Sequence, residues 1–182
     1  MVYVHLAEGF EEIEALTAVD VLRRASIDVQ TVSVTGNRVV TGTHGVPVTA
    51  DILYEDAEYE DCEMIVLPGG MPGAANLQAH EGLLTHIKCF AENGKKLAAI
   101  CAAPMILGHC GIIEGKKATV YPGMEDTLTG AQATGAAVTV DGNIITGRGP
   151  ALAMEFALAL VEAIKGKAAS DEIAEDLLYQ RK

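Results

Sequence analysis

Short apolar runs alternate with longer amphipathic segments along the chain. Val2–Ala7 is mostly apolar and predicts a first β-strand. In Glu11–Ala25 the apolar residues recur at a spacing of three, which predicts an amphipathic helix. Val29–Val34 is short and rich in β-branched residues and predicts a second strand. The chain therefore begins with a strand–helix–strand unit.

The alternation continues through the middle of the chain. Met64–Leu67, Leu97–Ile100 and Ala118–Tyr121 are apolar runs that predict strands. Gly82–Glu92 has helical spacing, and a short helix is predicted between Pro104 and about Gly108. Strands and helices in this order predict parallel strands joined by helical crossovers.

Two hairpins are expected beside these units. The segments Arg38–Thr41 and Val46–Ala50, which Gly42 and Gly45 separate, predict the first hairpin. Val138–Val140 and Ile144–Thr146 flank the turn sequence Asp141-Gly142-Asn143 and predict the second.

The last segments read as helices. Pro150–Lys165 is apolar almost all round, but it is short for a membrane span and carries two glutamates, so we expect a buried helix. Ser170 is the expected N-cap of a final helix, Asp171–Tyr179.

The whole pattern predicts an α/β fold with a mostly parallel sheet covered on both faces. No change of composition or internal repeat divides the chain, so we expect a single domain over residues 1–182. Ligands of such sheets bind at the carboxyl ends of the strands. The loops Glu8–Glu14, Pro68–Gly73 and Cys101–Pro104 are therefore the first places to look for a site.

Charge and cysteine content narrow the possible functions. Among 182 residues there are 13 Lys and Arg against 25 Asp and Glu, and the formal net charge is −12. This charge repels phosphate backbones and anionic lipid, so we expect no nucleic-acid partner and no membrane association. The four cysteines show neither a CxxC pair nor zinc spacing with histidine, so neither a metal site nor a cofactor is expected. Without a recognisable signal peptide, free thiols predict a cytoplasmic protein.

Cys101 is the residue whose surroundings suggest chemistry most clearly. It lies between an apolar strand and a helix start, next to Ala102, Ala103 and Pro104. This is the pattern of a nucleophile elbow, a tight turn that exposes a reactive side chain, and the following helix N-terminus favours a thiolate. The alternative is a buried core cysteine. Cys62, Cys89 and Cys110 lack this context; we expect them to be inert thiols in the core or on a helix face and Cys101 alone to oxidise readily.

Two further groups surround this loop in the predicted fold. Gly69 and Gly70 follow a strand and can turn backbone N–H groups towards an oxyanion, or they simply form a plain connecting loop. Acidic residues at the start of the first helix can supply a proton-transferring carboxyl beside Cys101, or merely stabilise the helix dipole. These acidic residues are Glu8, Glu11, Glu12 and Glu14.

Several motifs together show a family resemblance. They are Glu11–Glu14, Asp20–Ala25, Val66–Gly70, Ala98–Pro104 and Gly147–Pro150, in that order. The chain resembles the ThiJ/PfpI superfamily over Met1 to about Gly166, and within it the branch of the Parkinson's-associated protein deglycase and its bacterial relatives.

The resemblance implies a flavodoxin-like three-layer sandwich with Cys101 at the elbow. It implies that Glu14 is a protonated carboxyl bonded to the thiolate, and that the N–H groups of Gly70 and Ala102 form an oxyanion pocket. It also places Gly69, Tyr121, Gly149 and Pro150 at this pocket. A homodimer with the first helix at its interface is implied as well.

The chain departs from the family pattern at two positions. Animal members carry a histidine where this chain has Tyr121, and many relatives carry an arginine where it has His44. A phenol is a poor base at neutral pH, which argues against a Cys–His dyad and against proteolysis. No histidine follows Cys101 directly, which argues against an amidotransferase.

Two functions from different classes remain open. By resemblance, the first is a cofactor-free enzyme of the glyoxalase III or protein deglycase type, in which Cys101 attacks a small aldehyde or dicarbonyl and Glu14 moves protons. The second is a stress-related redox sensor or chaperone-like protein, in which Cys101 is oxidised to a sulfinate without turnover.

Overall fold

The structure is a computed structural model and describes residues 1–180. The strands are β1 (Val2–Leu6), β2 (Val29–Ser33), β3 (Val39–Thr41), β4 (Pro47–Thr49), β5 (Ile52–Leu53), β6 (Met64–Leu67), β7 (Lys96–Ile100), β8 (Lys117–Ala118), β9 (Gln132–Ala133), β10 (Val138–Asp141) and β11 (Ile144–Gly147). The α-helices are α1 (Glu12–Arg24), α2 (Gly73–Gln78), α3 (Glu81–Glu92), α4 (Pro104–His109), α5 (Ala153–Lys165) and α6 (Lys167–Asp176).

Seven strands form the central sheet in the order β10-β11-β7-β6-β1-β2-β5. All neighbouring pairs are parallel except β10 and β11, which form the hairpin that the sequence predicts. The other predicted hairpin, β3 with β4, is a separate antiparallel pair. These elements confirm the α/β sandwich with a mostly parallel sheet.

Alternation of side chains along the strands places a core on each face of the sheet. In β1, Val2, Val4 and Leu6 pack in the core that contains α1 and α5, whereas Tyr3 points to the opposite core. The opposite core is closed by α2, α3 and α4. Burial on both faces is why the strands read as continuous apolar runs.

The strand order reverses at β1, which has β2 on one side and β6 on the other. A crevice opens at the carboxyl ends of the strands where such a reversal occurs. The start of α1 and the segments that follow β6 and β7 meet there. The topology thus brings together the three loops singled out from the sequence.

The helix Pro150–Lys165 follows the prediction closely. A short three-ten turn at Pro150–Leu152 precedes α5, whose apolar side faces the sheet and whose other side is partly covered by α6. Along the described part of the chain, no helix is both long and apolar enough to span a bilayer.

Two predicted element boundaries are wrong. Ser170 does not cap the last helix, because Gly166 with φ +85° ends α5 and α6 starts directly at Lys167. Ser170 lies inside α6, and its hydroxyl donates to the Leu158 carbonyl at 2.7 Å. The predicted strand Ala118–Tyr121 already ends at Ala118, because the Thr119 N–H donates to the Thr146 hydroxyl and the Tyr121 N–H to the Cys101 carbonyl.

Candidate active site

Cys101 occupies the turn between β7 and α4 in a left-handed backbone conformation with φ +62°. Its N–H donates to the Gly147 carbonyl at 2.9 Å, and its carbonyl accepts from the Tyr121 N–H at 2.8 Å. A non-glycine residue in this conformation is strained by about 1–2 kcal/mol. The two hydrogen bonds hold the strained turn in place, which confirms the elbow geometry.

Glu14 approaches the same place from the first turn of α1. Its side chain is only 1% exposed, and its Oε2 accepts a hydrogen bond from the Gly69 N–H at 2.8 Å. Its Oε1 is buried and accepts no hydrogen bond within the described part of the chain. A buried carboxylate oxygen without a donor is costly, which favours the protonated acid.

Two glycines allow the backbone to pass close to both side chains. A Cβ on Gly69 would lie 2.7 Å from the Cys101 Cβ and 2.8 Å from Glu14 Oε2. Gly70 has φ +83°, and a Cβ there would lie 2.5 Å from the Glu11 nitrogen. Only glycine fits at either position, which explains the pair that follows β6.

The thiol and the carboxyl group perturb one another. Burial raises the pKa of Glu14 to about 7, against the lowering effect of the adjacent Cys101 thiol and of the Gly69 N–H. Burial also raises the pKa of Cys101 to about 12, and a charged Glu14 acts in the same direction. The N–H groups of Gly70 and Ala102 reach the sulfur and lower its pKa.

We expect from the sequence that the N-terminus of α4 and the neighbouring backbone N–H groups lower the pKa of Cys101. This expectation is wrong while Glu14 is charged, because burial and the Glu14 carboxylate raise the pKa by more. The helix that follows is also short, with six residues. When Glu14 carries a proton, it becomes a donor to the sulfur instead of a negative charge beside it. The two titrations are coupled, so the charge on one group changes the proton affinity of the other.

A cavity of about 200 Å³ opens above the sulfur. It is lined by Gly70, Met71, Cys101, Ala102, Tyr121 and Met124. A neighbouring cavity of about 340 Å³ shares Tyr121 and is lined also by Arg148, Gly149 and Pro150. Three of the pocket residues expected from the sequence line the cavity at the thiol: Gly70, Ala102 and Tyr121. Gly149 and Pro150 line the neighbouring cavity instead. Gly69 packs against the Cys101 side chain and lines neither cavity.

The exposure of Cys101 differs from expectation. The elbow was expected to expose the Cys101 sulfur, but this residue is 8% exposed because Gly69 and Glu14 pack against it. Cys89 is exposed on α3, whereas Cys62 is buried and Cys110 is half-buried. The four free thiols thus fall into three classes of exposure, with Cys62 and Cys101 both buried.

Three residues that line the two cavities are not among the pocket residues predicted from the sequence. Met71 and Met124 supply apolar walls, and Arg148 brings a positive charge to the second cavity. Met71 follows Gly70 directly and lies within the loop Pro68–Gly73 that the sequence singles out. Arg148 stands within the motif Gly147–Pro150 beside two predicted pocket residues, whereas Met124 reaches the cavity only through the fold.

The family model described as DJ-1/PfpI matches residues 1–163. The chain belongs to the DJ-1/PfpI family. Protein DJ-1 homolog B of Arabidopsis thaliana is 40% identical over 167 residues, which cover 91% of this chain and 38% of that protein. Protein dj-1beta of Drosophila melanogaster is 38% identical over 178 residues, which cover 96% of this chain and 95% of that one.

A further relative carries the name deglycase. It comes from Pyrococcus abyssi and is 32% identical over 146 residues, which cover 79% of this chain and 87% of that protein. The chain spans less than half the length of the two Arabidopsis DJ-1 homologs that it matches.

Solved structures share the fold over nearly the whole chain. The oxidized DJ-1 of Toxoplasma gondii superposes with a TM-score of 0.95 and 39% identity and covers 99% of this chain and 98% of its own. A cysteine-to-alanine mutant of a DJ-1 superfamily protein from Salmonella typhimurium superposes with a TM-score of 0.94 and 33% identity, with the same coverage. These matches confirm the flavodoxin-like DJ-1 fold.

Proposed function

We propose that the protein converts small reactive dicarbonyls, with methylglyoxal as the model substrate, by covalent addition to Cys101 with Glu14 as the proton carrier. The observation that carries the proposal is the placement of one sulfur against one buried carboxyl group and two backbone N–H groups. A thiolate, a nearby acid and an oxyanion pocket are what nucleophilic addition to a carbonyl requires. The relative named deglycase supports the same class of chemistry.

In the first step the thiolate attacks the aldehyde carbon of methylglyoxal. The π electrons of the C=O bond move to oxygen, where the Gly70 and Ala102 N–H groups stabilise the charge. Glu14 then gives its proton to this oxygen. The product is a hemithioacetal on Cys101 next to a Glu14 carboxylate.

In the second step the Glu14 carboxylate removes the proton from the carbon bound to sulfur. The electron pair moves towards the ketone oxygen and gives an enediolate, to whose new oxygen the neighbouring hydroxyl group passes its proton. Glu14 then returns its proton to the adjacent carbon, which leaves a thioester on Cys101. Water attacks the thioester, and the C–S bond breaks to release lactate and return the thiol. Methylglyoxal and water are the only reactants consumed, so these steps need no cofactor.

The cavity supports a small substrate. Its volume of about 200 Å³ and its walls of Met71 and Met124 suit a three-carbon dicarbonyl better than a peptide. The residues that line it include no imidazole, so the proposal gives every proton transfer to Glu14 and none to Tyr121.

Steady-state turnover of methylglyoxal to lactate tests the proposal. We expect activity in the native protein, none in Cys101→Ser, and full activity in the matched variant Cys89→Ser, whose thiol is exposed on α3. Equal activity in the native protein and Cys101→Ser would overturn the proposal.

A second function is favoured by a separate observation. The groups that surround the Cys101 sulfur can also hold the two oxygens of a sulfinate: two backbone N–H groups and a protonated Glu14. One of the similar solved structures is an oxidized DJ-1. In this alternative, peroxide oxidises the thiol in two steps, each of which transfers one oxygen and releases water, and no dicarbonyl is turned over.

We further propose a homodimer through α1. This helix leaves Ile13 56% and Leu16 39% exposed, and a two-fold contact would bury the same pair twice. Light scattering should give twice 19.1 kDa for the native protein and a smaller mass for Ile13→Asp. A native mass of 19.1 kDa would contradict the homodimer.

Four free thiols support a reducing compartment, the cytoplasm, as the location of the protein.

A further inference from the structure

The larger of the two cavities near the thiol has no role in the chemistry proposed above. The three-carbon skeleton of methylglyoxal needs only the cavity of about 200 Å³ above Cys101. The neighbouring cavity, of about 340 Å³, borders it at Tyr121, which lines both. Cavities of about 300 Å³ or more are typical of small-ligand sites. The structure thus has room for a part of the substrate that methylglyoxal lacks.

Backbone hydrogen bonds fix the place of Arg148 in this second cavity. Arg148 follows Gly147, whose carbonyl accepts from the Cys101 N–H at 2.9 Å. The N–H of Arg148 itself donates to the Ala137 carbonyl at 3.0 Å. The end of β11 therefore holds both the elbow that carries the thiol and the residue that carries the positive charge.

The guanidinium group of Arg148 differs from those of the other described arginines. Arg23 and Arg24 each form a salt bridge with an aspartate at 2.7 Å, and Arg38 donates to backbone carbonyl groups. Arg148 is half-buried, and no residue that the structure describes forms a salt bridge or a hydrogen bond with its guanidinium group. Its N–H donors are therefore available to a ligand.

The charges around the two cavities favour an anion at Arg148. Among the residues that line either cavity, Arg148 alone carries a charge. The chain as a whole has a formal net charge of −12, so its surface generally repels anions. A guanidinium group binds a carboxylate through two parallel hydrogen bonds, which are stronger than bonds between neutral groups. An anionic group on the substrate is therefore best placed in this cavity.

The other walls of the cavity suit a short carbon chain. Two prolines and a leucine supply apolar surface: Pro122, Pro150 and Leu152. The ring of Tyr121 packs on the backbone of Gly149, where a Cβ would lie 3.5 Å from it. Methylene groups can pack along these walls while the charged end reaches Arg148. One cation in the lining matches one negative charge, which favours a carboxylate over a phosphate group of nearly two charges.

We propose that this second cavity is a subsite for a carboxylate of the substrate, and that Arg148 selects dicarbonyls that carry a carboxylate on a short carbon chain. The inference rests on the proposed function, since the bond changes at the dicarbonyl group are those described for methylglyoxal. The carboxylate is held and does not react. None of the residues that line the subsite belongs to α1, so it does not overlap the proposed dimer contact.

Two aldehydes of matched shape test the selectivity. In γ,δ-dioxovalerate two methylene groups separate the carboxylate from the dicarbonyl group, and hydration by the same steps gives α-hydroxyglutarate. In isoamylglyoxal an uncharged isopropyl group replaces the carboxylate. We expect kcat/KM of the native protein to be at least about tenfold higher for γ,δ-dioxovalerate, and we expect Arg148→Gln to lose this preference.

Lys88→Gln is the matched control for the loss of one positive charge. Lys88 is exposed on α3 and lines neither cavity, so this variant should keep the native preference for γ,δ-dioxovalerate. The inference is overturned if the native protein turns over both aldehydes equally well, or if Arg148→Gln keeps the preference of the native protein.

Binding of levulinate separates the subsite from the chemistry. Levulinate has the carbon chain and the carboxylate of γ,δ-dioxovalerate but no aldehyde, so it does not form the thioester. By calorimetry we expect saturable binding to the native protein and to Lys88→Gln, and at least about tenfold weaker binding to Arg148→Gln. Turnover of neither aldehyde would overturn the proposed function, whereas selective binding of levulinate would still support the subsite. Equal binding of levulinate by the native protein and Arg148→Gln, or no binding to either, would overturn the subsite.

Discussion

At the scale of single residues, the site depends on one proton that Cys101 and Glu14 share. Burial alone raises the pKa of both groups, which disfavours two charges in this place. The Gly70 and Ala102 N–H groups favour the negative charge on sulfur. We propose that the reactive form is a thiolate beside a neutral acid, so any variant that keeps a neutral donor at position 14 should keep the thiolate.

Mild peroxide should distinguish Cys101 from the other thiols. We expect Cys101 to gain two oxygens first and to stop at sulfinate, because two N–H groups and the Glu14 proton hold the oxygens. Cys62 is buried, and the sulfur of the exposed Cys89 accepts a hydrogen bond from the neutral Asn93 amide at 3.5 Å. Peptide mapping after a peroxide titration checks this. Oxygen on Cys62, Cys89 or Cys110 before Cys101 would contradict it.

The sequence was informative about these residues to different degrees. Cys101 could be predicted because a strand, two alanines and a proline mark the elbow locally. Glu14 could not be separated from Glu12 by periodicity, since both precede apolar residues at helical spacing; only the family resemblance pointed to it. Met124 reaches the site through tertiary contacts that no local pattern records.

At the scale of elements, the segment after β6 is the part that tolerates change least. Gly70→Ala should destabilise the fold by at least about 2 kcal/mol, because φ +83° is strained for alanine and the new Cβ would lie 2.6 Å from the Gly9 carbonyl oxygen.

Gly149→Ala is the matched control, since its Cβ would meet only the Tyr121 ring at 3.5 Å. Urea unfolding of both variants measures the difference. Equal stability of the two would show that the close approach at Gly70 is not required.

Strands and helices were predicted correctly where the pattern of apolar residues was unambiguous. β6 was predicted with its observed bounds, because four consecutive buried apolar residues leave little ambiguity. α2 was missed because six residues give too little periodicity. The end of Ala118–Tyr121 failed because the Tyr121 N–H bonds to the Cys101 carbonyl instead of to a strand.

At the scale of the whole molecule, stability should depend on a histidine far from the site. His5 is completely buried in β1, with Nε2 2.7 Å from the Tyr59 hydroxyl. Burial lowers its pKa to about 3, and charges on His80 and His86 act in the same direction. Between pH 6.5 and 3 the unfolded chain therefore binds the proton more readily than the folded one.

The contribution of His5 is present above pH 6.5 and is lost as the pH falls towards 3. In this window the free energy of unfolding of the native protein should fall more steeply than that of His5→Gln, by up to about 1.4 kcal/mol per pH unit. Urea unfolding between pH 4 and 6.5 gives both slopes. Parallel slopes would show that His5 does not titrate differently in the two states.

The central claim is that Glu14 moves the proton while Cys101 makes the bond, and Glu14→Gln separates the two roles. This variant keeps a neutral donor beside the sulfur but cannot transfer a proton. The most direct measurement is methylglyoxal turnover and peroxide oxidation on one preparation of Glu14→Gln. We predict that turnover falls at least about 100-fold, the usual scale of general acid–base catalysis, while Cys101 still oxidises to sulfinate. Turnover at the native rate in Glu14→Gln would contradict the account.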